Sequence, residues 1–493
     1  MIKEKNLKWV YTLAIAFILI NAVCTYYEFY YFNLVPAAIL VVLLAIFSLD
    51  KLIMMVVFLT PFAINLQNLE GGLGLSLPTE PIIFGIMLIF LLKQLHQLSF
   101  DANVIRHPVT IAVVMNLTWI FITSITSDLP IVSFKFLIAR LWFVVVFYFL
   151  GTRLFRKYSN IKTFIWLYLI PFAVIIVYTL ICHAQVNFDE QIANYIMSPF
   201  YNDHTVYGAM LAMFFPVLLF FCLNRRYSAS IRFAAVLLLV IYILGLIFSY
   251  TRAAWVSLAV ALIAFILLKM KVKFRVLLIA FMGVAAIAFA YQTEIVMKLE
   301  KNRQDASQDF DKHIESISNI STDASNLERI NRWNAAFRMF NERPFFGWGP
   351  GTYSFEYAPF QHAKEKTIIS TNMGDRGNAH SEYIGPLCES GFLGLLTFVT
   401  IIICVLSTGF RLYYTLKDYE VRLIVLTTLL GFITYITHGA LNNFLDTDKA
   451  SVPFWGFVAM IVAIDVYHSD RGKTGIKEET PFLDTDASDH NKA

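Results

Sequence analysis

Apolar runs long enough to cross a membrane recur through almost the whole chain and constrain its fold more than any other feature. A helix needs roughly 20 apolar residues to cross the hydrocarbon core of a bilayer. The runs, bounded by charged residues, Pro or Gly, lie near residues 9–24, 34–49, 52–66, 81–95, 108–125, 134–151, 162–182, 206–223, 232–249, 253–268, 274–291, 383–407, 422–440 and 452–466. They predict an all-α polytopic membrane protein with about 12–14 transmembrane helices.

The composition supports this class. Of the 493 residues, 58% are hydrophobic and 15% are charged, against roughly 25% charged in soluble domains. Continuous apolar runs argue against a β-barrel, whose strands alternate polar and apolar residues. The five cysteines lie in or beside apolar runs and lack the spacing of a zinc site or a disulfide framework.

The distribution of Lys and Arg predicts the orientation, because short cytoplasmic loops are enriched in these residues. With the N-terminus inside, the even-numbered connections collect most of the short-loop cations, among them Arg153, Arg156 and Lys157. The run at 9–24 follows three lysines and lacks a small-residue cleavage site, so we expect a retained first span and no removed signal peptide. Both termini are then cytoplasmic.

One long polar stretch interrupts the apolar pattern. We expect transmembrane helices over 1–291, a large and mainly helical loop over 292–382, transmembrane helices over 383–466 and a disordered cytoplasmic tail over 467–493. We call 292–382 the insert. The orientation places it outside the cytoplasm, and its own charges do not oppose this, because large domains cross membranes largely regardless of charge. We expect the insert to carry the chemistry.

Three residues stand out at the outer face of the predicted membrane domain. Arg252 joins two apolar runs with almost no loop, a costly position unless its guanidinium meets an anion such as phosphate; a snorkelling interfacial arginine is the alternative. Arg329 precedes Trp333 by one helical turn in the insert. His380 lies just before a span, where an imidazole can take a proton from a hydroxyl; a helix cap beside Ser381 is the alternative.

Further candidates are weaker. Arg332 is a second insert arginine, with a solvated helix face as its alternative interpretation. Asp203 precedes a span and has the residue type of an N-cap, and Asp446 lies in a loop that a simple turn would explain. Lys135 and Arg140 either snorkel to the interface or contact an anionic headgroup. Ser325 to Glu328 predicts a capping box that starts a helix, and Pro344 predicts its end. Gly391 and Gly394 suit close helix contact.

Together these residues resemble the O-antigen ligase and polymerase superfamily. The histidine motif is similar in His380-Ser381 followed, after nine residues, by Gly391-Phe392-Leu393-Gly394-Leu395. The insert resembles that family's large periplasmic loop through Arg329, Trp333 and the segment from Arg343 to Gly351. The stretch from Tyr250 to Trp255 is similar to the family's Ser-Arg-Gly-Ala-Trp-like segment, with Thr251 and Ala253 as departures.

The resemblance implies a GT-C-like inverting glycosyltransferase in the bacterial inner membrane that needs no metal or other cofactor and no nucleic acid. It implies an undecaprenyl-diphosphate-linked glycan as donor, with a lipid A-core sugar, the growing glycan or a protein hydroxyl as acceptor; we favour the lipid A-core. Carried over, His380 is the base and Arg252 and Arg329 bind the diphosphate, with Arg332, Lys135, Arg140, Asp203 and Asp446 as further binding candidates. A transporter of lipid-linked sugar is the rival from another class, and it predicts charged residues lining a path through the spans.

Overall fold

The structure is a computed structural model of the chain and describes residues 4–66, 75–96, 101–279, 282–283, 312–367, 370 and 377–469. The described residues divide into two compact units, residues 4–56 and residues 57–469.

The first unit is helical. It contains α1 (Glu4–Tyr26), a 3₁₀ turn (Tyr30–Leu34), α2 (Val35–Phe47) and the first turns of α3 (Leu49–Leu59). Asn21 donates a side-chain hydrogen bond to Asn33 at 2.8 Å, and Phe17 stacks on Phe32 with 5.2 Å between ring centroids. These contacts join α1 to the turn that follows it.

The second unit begins with a short irregular region where the sequence predicts a span over 52–66. That prediction is wrong: α3 ends at Leu59, followed by a 3₁₀ turn (Thr60–Phe62) and an antiparallel hairpin of β1 (Ile64–Leu66) and β2 (Leu75–Leu77), with Ile64 paired to Leu77. Pro61 cannot continue the helix because it lacks a backbone N–H. Lys449 satisfies the carbonyls left at this end by donating to Thr60, Pro61 and Ala63.

The remaining helices confirm the all-α polytopic class. The long ones are, in chain order, α4 (Thr79–His96), α5 (Pro108–Ile125), α6 (Pro130–Leu154), α7 (Tyr158–Ala184), α8 (His204–Leu223), α9 (Ala229–Ile247), α10 (Arg252–Lys269), α11 (Lys312–Glu342), α12 (Ile384–Thr415), α13 (Tyr419–His438) and α14 (Asp448–His468). Short helices and 3₁₀ turns lie at Ala102–Ile105, Ile192–Asn194, Tyr353–Glu356, Ala358–Phe360 and Ala363–Glu365. α6 and α14 include π-helical turns at Val144–Leu150 and Ile464–His468.

Within the described residues, ten helices are long and apolar enough to cross a membrane. The predicted span at 274–291 lies largely outside the described residues, as does the predicted tail after 469. The core of the second unit is built around α8 and α14, the most completely buried of these helices. Tyr168 of α7 stacks on Phe214 of α8 at 4.5 Å and donates its hydroxyl to the Lys449 carbonyl at 2.9 Å.

The insert is built on α11, which begins at Lys312. The stretch from Ser325 to Glu328 therefore lies inside a helix, and the predicted capping box is wrong. Glu328 is instead used in tertiary contacts, because its carboxylate accepts hydrogen bonds from Arg332, Thr367 and Ser370. α11 ends two residues before Pro344, as predicted.

A break in α12 docks the insert onto the membrane helices. Gly391 has φ +70° and ψ −172°, a conformation that side-chain-bearing residues avoid. The carbonyls freed around the break accept hydrogen bonds from the backbone of Trp348 and Gly349, at 3.2 and 2.8 Å, and from the Trp119 indole at 2.8 Å. Two backbone amides of the Gly-rich turn at 347–351 thus donate hydrogen bonds to carbonyls of α12. The sequence predicts helix–helix contact at Gly391, whereas the structure shows a break of the helix backbone at this residue.

Candidate functional site

His380 lies in the short segment between the insert and α12. It has a positive φ of 47°, an uncommon and strained conformation for a residue with a side chain. Its backbone N–H donates to Asn378 Oδ1 at 3.0 Å. The helix cap is supplied by Ser381, whose hydroxyl accepts from the amides of Tyr383 and Ile384 at 3.2 and 3.3 Å. Among the described residues, none hydrogen-bonds to the His380 imidazole, so the capping alternative applies to Ser381 and leaves the imidazole available.

Arg332 holds the segment that precedes His380. Its guanidinium pairs with Glu328 at 3.0 Å and donates to the Asn378 carbonyl at 3.3 Å. Gly377 passes so close that an added Cβ would lie 1.7 Å from an Arg332 nitrogen. Arg332 is buried, so the alternative of a solvated helix face does not hold. Its contacts make it a residue that positions the His380 loop.

Glu328 is held as an anion beside this arginine. Burial alone would raise the pKa of its carboxyl, but hydrogen bonds from Ser370 and Arg332 outweigh burial and lower it. The negative charge of Glu328 therefore persists and offsets the charge of the buried Arg332.

Arg329 and Asp203 bring the insert to the start of α8. Arg329 is half-buried on α11, three residues before Arg332. Burial lowers the pKa of its guanidinium, and the nearby charge of Asp203 opposes that shift. Asp203 also caps α8, since its carboxylate accepts from the backbone amides of Thr205 and Val206 at 2.7 and 3.2 Å. The N-cap interpretation of Asp203 is therefore correct, and the same carboxylate lies within electrostatic reach of Arg329.

The surroundings of His380 keep its imidazole neutral. Burial is the largest cause and, with the positive charges of Arg332 and Arg329, lowers the pKa of His380 from 6.5 to about 4; Asp203 and Glu328 act in the opposite direction. A neutral imidazole at physiological pH can accept a proton. The structure thus brings His380, Arg329, Arg332 and Asp203 together at one end of the bundle, which we call the insert end.

Arg252 lies beside this group, at its edge. It is the first residue of α10, and its side chain is exposed. The preceding Thr251 donates its hydroxyl to the His204 carbonyl at 2.8 Å, which places the α9–α10 turn against the start of α8. In the described part of the chain, no hydrogen bond or ion pair involves the Arg252 guanidinium, and its charge is not among those that shift the pKa of His380.

A second polar cluster lies on the other side of the α12 start. Buried Glu382 accepts hydrogen bonds from the amides of Phe444 and Leu445, at 2.7 and 2.9 Å. Burial, followed by the charge of Asp446, raises the pKa of Glu382 to about 7. Arg140 pairs with Asp446 at 3.2 Å. These two binding candidates therefore contact each other and fix the α13–α14 loop.

Lys135 is exposed on α6, one turn before Arg140. Among the described residues, no group of three or more His, Cys, Asp or Glu side chains is placed to hold a metal ion.

A comparison with known families matches part of the chain. Residues 237–399 match the family model described as O-antigen ligase. Over this part the chain is similar to the O-antigen ligase family. The similarity supports a ligase- or polymerase-type function in general and a glycosyltransferase-like enzyme. The curated proteins compared with the chain include no match to it.

The O-antigen ligase segment contains His380, Arg252, Arg329 and Arg332, whereas Asp203 and the Arg140–Asp446 pair lie outside it. The residues predicted from the sequence therefore include some inside and some outside the segment that the family model matches.

Two histidines of the site were missed as candidates. His204 begins α8 beside Asp203, and His438 ends α13. The sequence shows His438 only as a histidine at the end of an apolar run, a position that a neighbouring helix usually satisfies. Its relation to the site becomes visible only once α13 is placed against the start of α12.

Proposed function

We propose that this O-antigen ligase family protein transfers a glycan from an undecaprenyl diphosphate carrier to an acceptor hydroxyl at the periplasmic face of the bacterial inner membrane, with the lipid A-core as acceptor. The observation that carries the proposal is the neutral imidazole of His380, which none of the described residues hydrogen-bonds, close to the charges of Arg329 and Arg332 at the mouth of the membrane helices. The outward orientation is supported by the Lys and Arg bias of the loops at the other end.

His380 acts as the general base in this scheme. The acceptor hydroxyl gives its proton to the imidazole while its oxygen forms a bond to the anomeric carbon. The bond between that carbon and the phosphate oxygen breaks, and its electron pair leaves with the carrier diphosphate. A single displacement inverts the anomeric centre. Arg332 keeps the His380 loop in place through Asn378.

The leaving diphosphate gains negative charge as the bond breaks, and preorganised guanidinium groups stabilise such charge. Arg329 is the best placed arginine, since its charge acts on His380 while Arg332 is paired with Glu328. Arg252 completes the site from the α10 start, where its exposed fork suits phosphate oxygens. Lys135 and the Arg140–Asp446 pair are more distant contributors that shape the mouth.

Polymerase-type transfer to a growing glycan, and transfer to a protein hydroxyl, use the same chemistry and are the alternatives. Glycan profiles of a deletion strain distinguish them. Bare core with intact carrier-linked polymer indicates a ligase, and single capped repeats without long chains indicate a polymerase. If the protein were a transporter of lipid-linked sugar, the deletion strain would instead lack the carrier-linked glycan on one face of the membrane.

Substitution of His380 by Ala tests the proposal directly. We expect transfer to fall by at least about 100-fold, because general-base catalysis contributes roughly 10²–10⁴-fold, while expression and carrier binding stay near normal. Arg252→Lys is expected to be severely impaired, because a lysine cannot make the bidentate contact. His362→Ala, an exposed histidine of the same insert, is the matched control. Near-normal turnover by His380→Ala would remove the base from the mechanism.

A further inference from the structure

A second histidine at the insert end, His438, has a ring nitrogen that makes no hydrogen bond to the described residues. His438 is 1% exposed, yet its Nε2 has no hydrogen-bond partner among the described residues. Its Nδ1 faces the Asn442 side-chain amide nitrogen at 3.5 Å. Buried polar atoms are nearly always paired, so an unpaired one beside the site is a candidate contact for a bound group.

Hydrogen bonds fasten the end of α13 to the chain that carries His380. The Glu382 backbone N–H donates to the Gly439 carbonyl at 2.8 Å, and the Tyr383 hydroxyl donates to the Ile436 carbonyl at 2.8 Å. His438 lies between these two anchor points. Its ring packs against Phe444 with 5.8 Å between centroids. The nitrogen is therefore held beside the segment that follows His380.

The charges around His438 belong to the same site. Arg329, Asp203 and His204 are the groups that act on it electrostatically. Because the Asn442 amide nitrogen is a donor, it is compatible with an unprotonated Nδ1, which leaves the imidazole proton on Nε2. A neutral N–H donor next to a guanidinium is suited to an oxygen that carries negative charge.

We propose that His438 Nε2 donates a hydrogen bond to a phosphate oxygen of the lipid-linked donor, so that His438 and Arg329 bind the same diphosphate. The inference rests on the proposed function and adds a binding residue outside the family-matched segment 237–399. His438 binds the donor and takes no proton in the reaction; His380 keeps that role.

Binding of farnesyl diphosphate to the full-length protein in nanodiscs tests this proposal. Hydrogen bonds to charged groups contribute roughly 1.5–3 kcal/mol, so His438→Leu is expected to weaken binding by about 10-fold or more. His438→Gln, which places an amide nitrogen where Nε2 stands, is expected to retain most of the affinity. Farnesol, which lacks the phosphates, should bind both variants and the wild type alike.

The matched control is His468→Leu, which removes a histidine that contacts the Phe155 carbonyl outside the site. It should bind farnesyl diphosphate like the wild type. Equal affinity of His438→Leu and the wild type would overturn the inference, and so would equal losses in the Leu and Gln variants. Failure of the wild type itself to bind farnesyl diphosphate would instead contradict the proposed function.

A measurement on the wild type covers the case in which His438→Leu does not fold. Protein labelled with ¹⁵N-histidine should show a shift of the His438 Nε2 resonance when farnesyl diphosphate is added, with the assignment taken from His438→Gln. An unchanged His438 resonance, with the His380 resonance shifting, would show that the ligand binds without touching His438.

Discussion

The segment 377–380, which ends in the strained backbone of His380, packs against Arg332. The same arginine fixes the loop through the Asn378 carbonyl and lowers the pKa of the imidazole through its charge. Arg332 therefore both positions the proposed base and adds its charge to the burial that lowers the pKa of His380.

This arrangement predicts the pH dependence of the reaction. The pKa of His380 in the free enzyme is lowered to about 4 by burial and by Arg332 and Arg329. The imidazole must be unprotonated to accept a proton, so kcat/KM should be lost as pH falls through about 4, well below the 6.5 of an ordinary histidine. Transfer rates between pH 3.5 and 8, measured in nanodiscs, check this. Asp203→Asn should move the acid limb to still lower pH, since it removes a negative charge and retains an N-cap.

An acid limb centred near 6.5 would show that His380 is not buried among cations in the working enzyme. A bound diphosphate brings negative charge close to the imidazole and raises the pKa of His380. The acid limb of the pH profile of kcat is therefore expected at higher pH than the acid limb of kcat/KM.

At the site, the sequence singled out residues that the fold brings together, but it did not predict their geometry. His380 and the arginines could be found because charged and titratable groups are rare in this chain and costly near a membrane. The role of Arg332 as a loop anchor, the pairing of Arg140 with Asp446, and the open nitrogen of His438 depend on contacts between residues far apart in the chain. No local pattern encodes such contacts.

At the level of elements, the break in α12 is the joint between the insert and the membrane helices. A methyl group at Gly391 would lie 2.1 Å from the Phe345 carbonyl oxygen, and the residue needs a φ of +70°. Gly385, on the same helix, has no neighbour within 4 Å of an added Cβ. Substitution of the two glycines by alanine can therefore be compared directly. Gly391→Ala tests whether the break requires glycine, and Gly385→Ala measures the effect of replacing a glycine elsewhere in the same helix.

Gly391→Ala is expected to destabilise the protein by at least about 2 kcal/mol, since Gly-only conformations cost 1–3 kcal/mol for other residues before any clash is counted. Gly385→Ala is expected to be neutral or stabilising by up to about 1 kcal/mol. Apparent melting temperatures of both variants in the same detergent provide the comparison. Equal stability of the two variants would mean that the docked break is not formed in solution.

The long helices were predictable because a bilayer demands continuous apolar length. Elements set by tertiary contacts were not. The run at 52–66 reads as a span, but Pro61 ends the helix and Lys449, far along the chain, satisfies the carbonyls it leaves. Ser325 to Glu328 reads as a helix start, but Glu328 is used by Arg332, Thr367 and Ser370 instead.

For the whole molecule, the decisive property is that the starts of α8, α10 and α12 and the end of α13 meet at the insert end. The rival transport function places charged residues along a path through the spans. The charged residues of the site gather at the mouth instead, which suits a reaction on a substrate whose lipid tail stays in the membrane. The site can work on an exported carrier only if the insert end faces the periplasm.

That orientation is testable with single cysteines in a cysteine-free background. His362 is exposed on the insert, and Arg225 is exposed in the α8–α9 connection at the opposite end of the helices. The five native cysteines lie in helices and are partly or fully buried, so conservative replacement is expected to preserve the fold. In intact spheroplasts a membrane-impermeant maleimide should label His362→Cys and should label Arg225→Cys only after the membrane is permeabilised. The reverse pattern would place His380 in the cytoplasm, where an exported lipid-linked glycan cannot reach it, and would exclude the proposed transfer while leaving the helical fold intact.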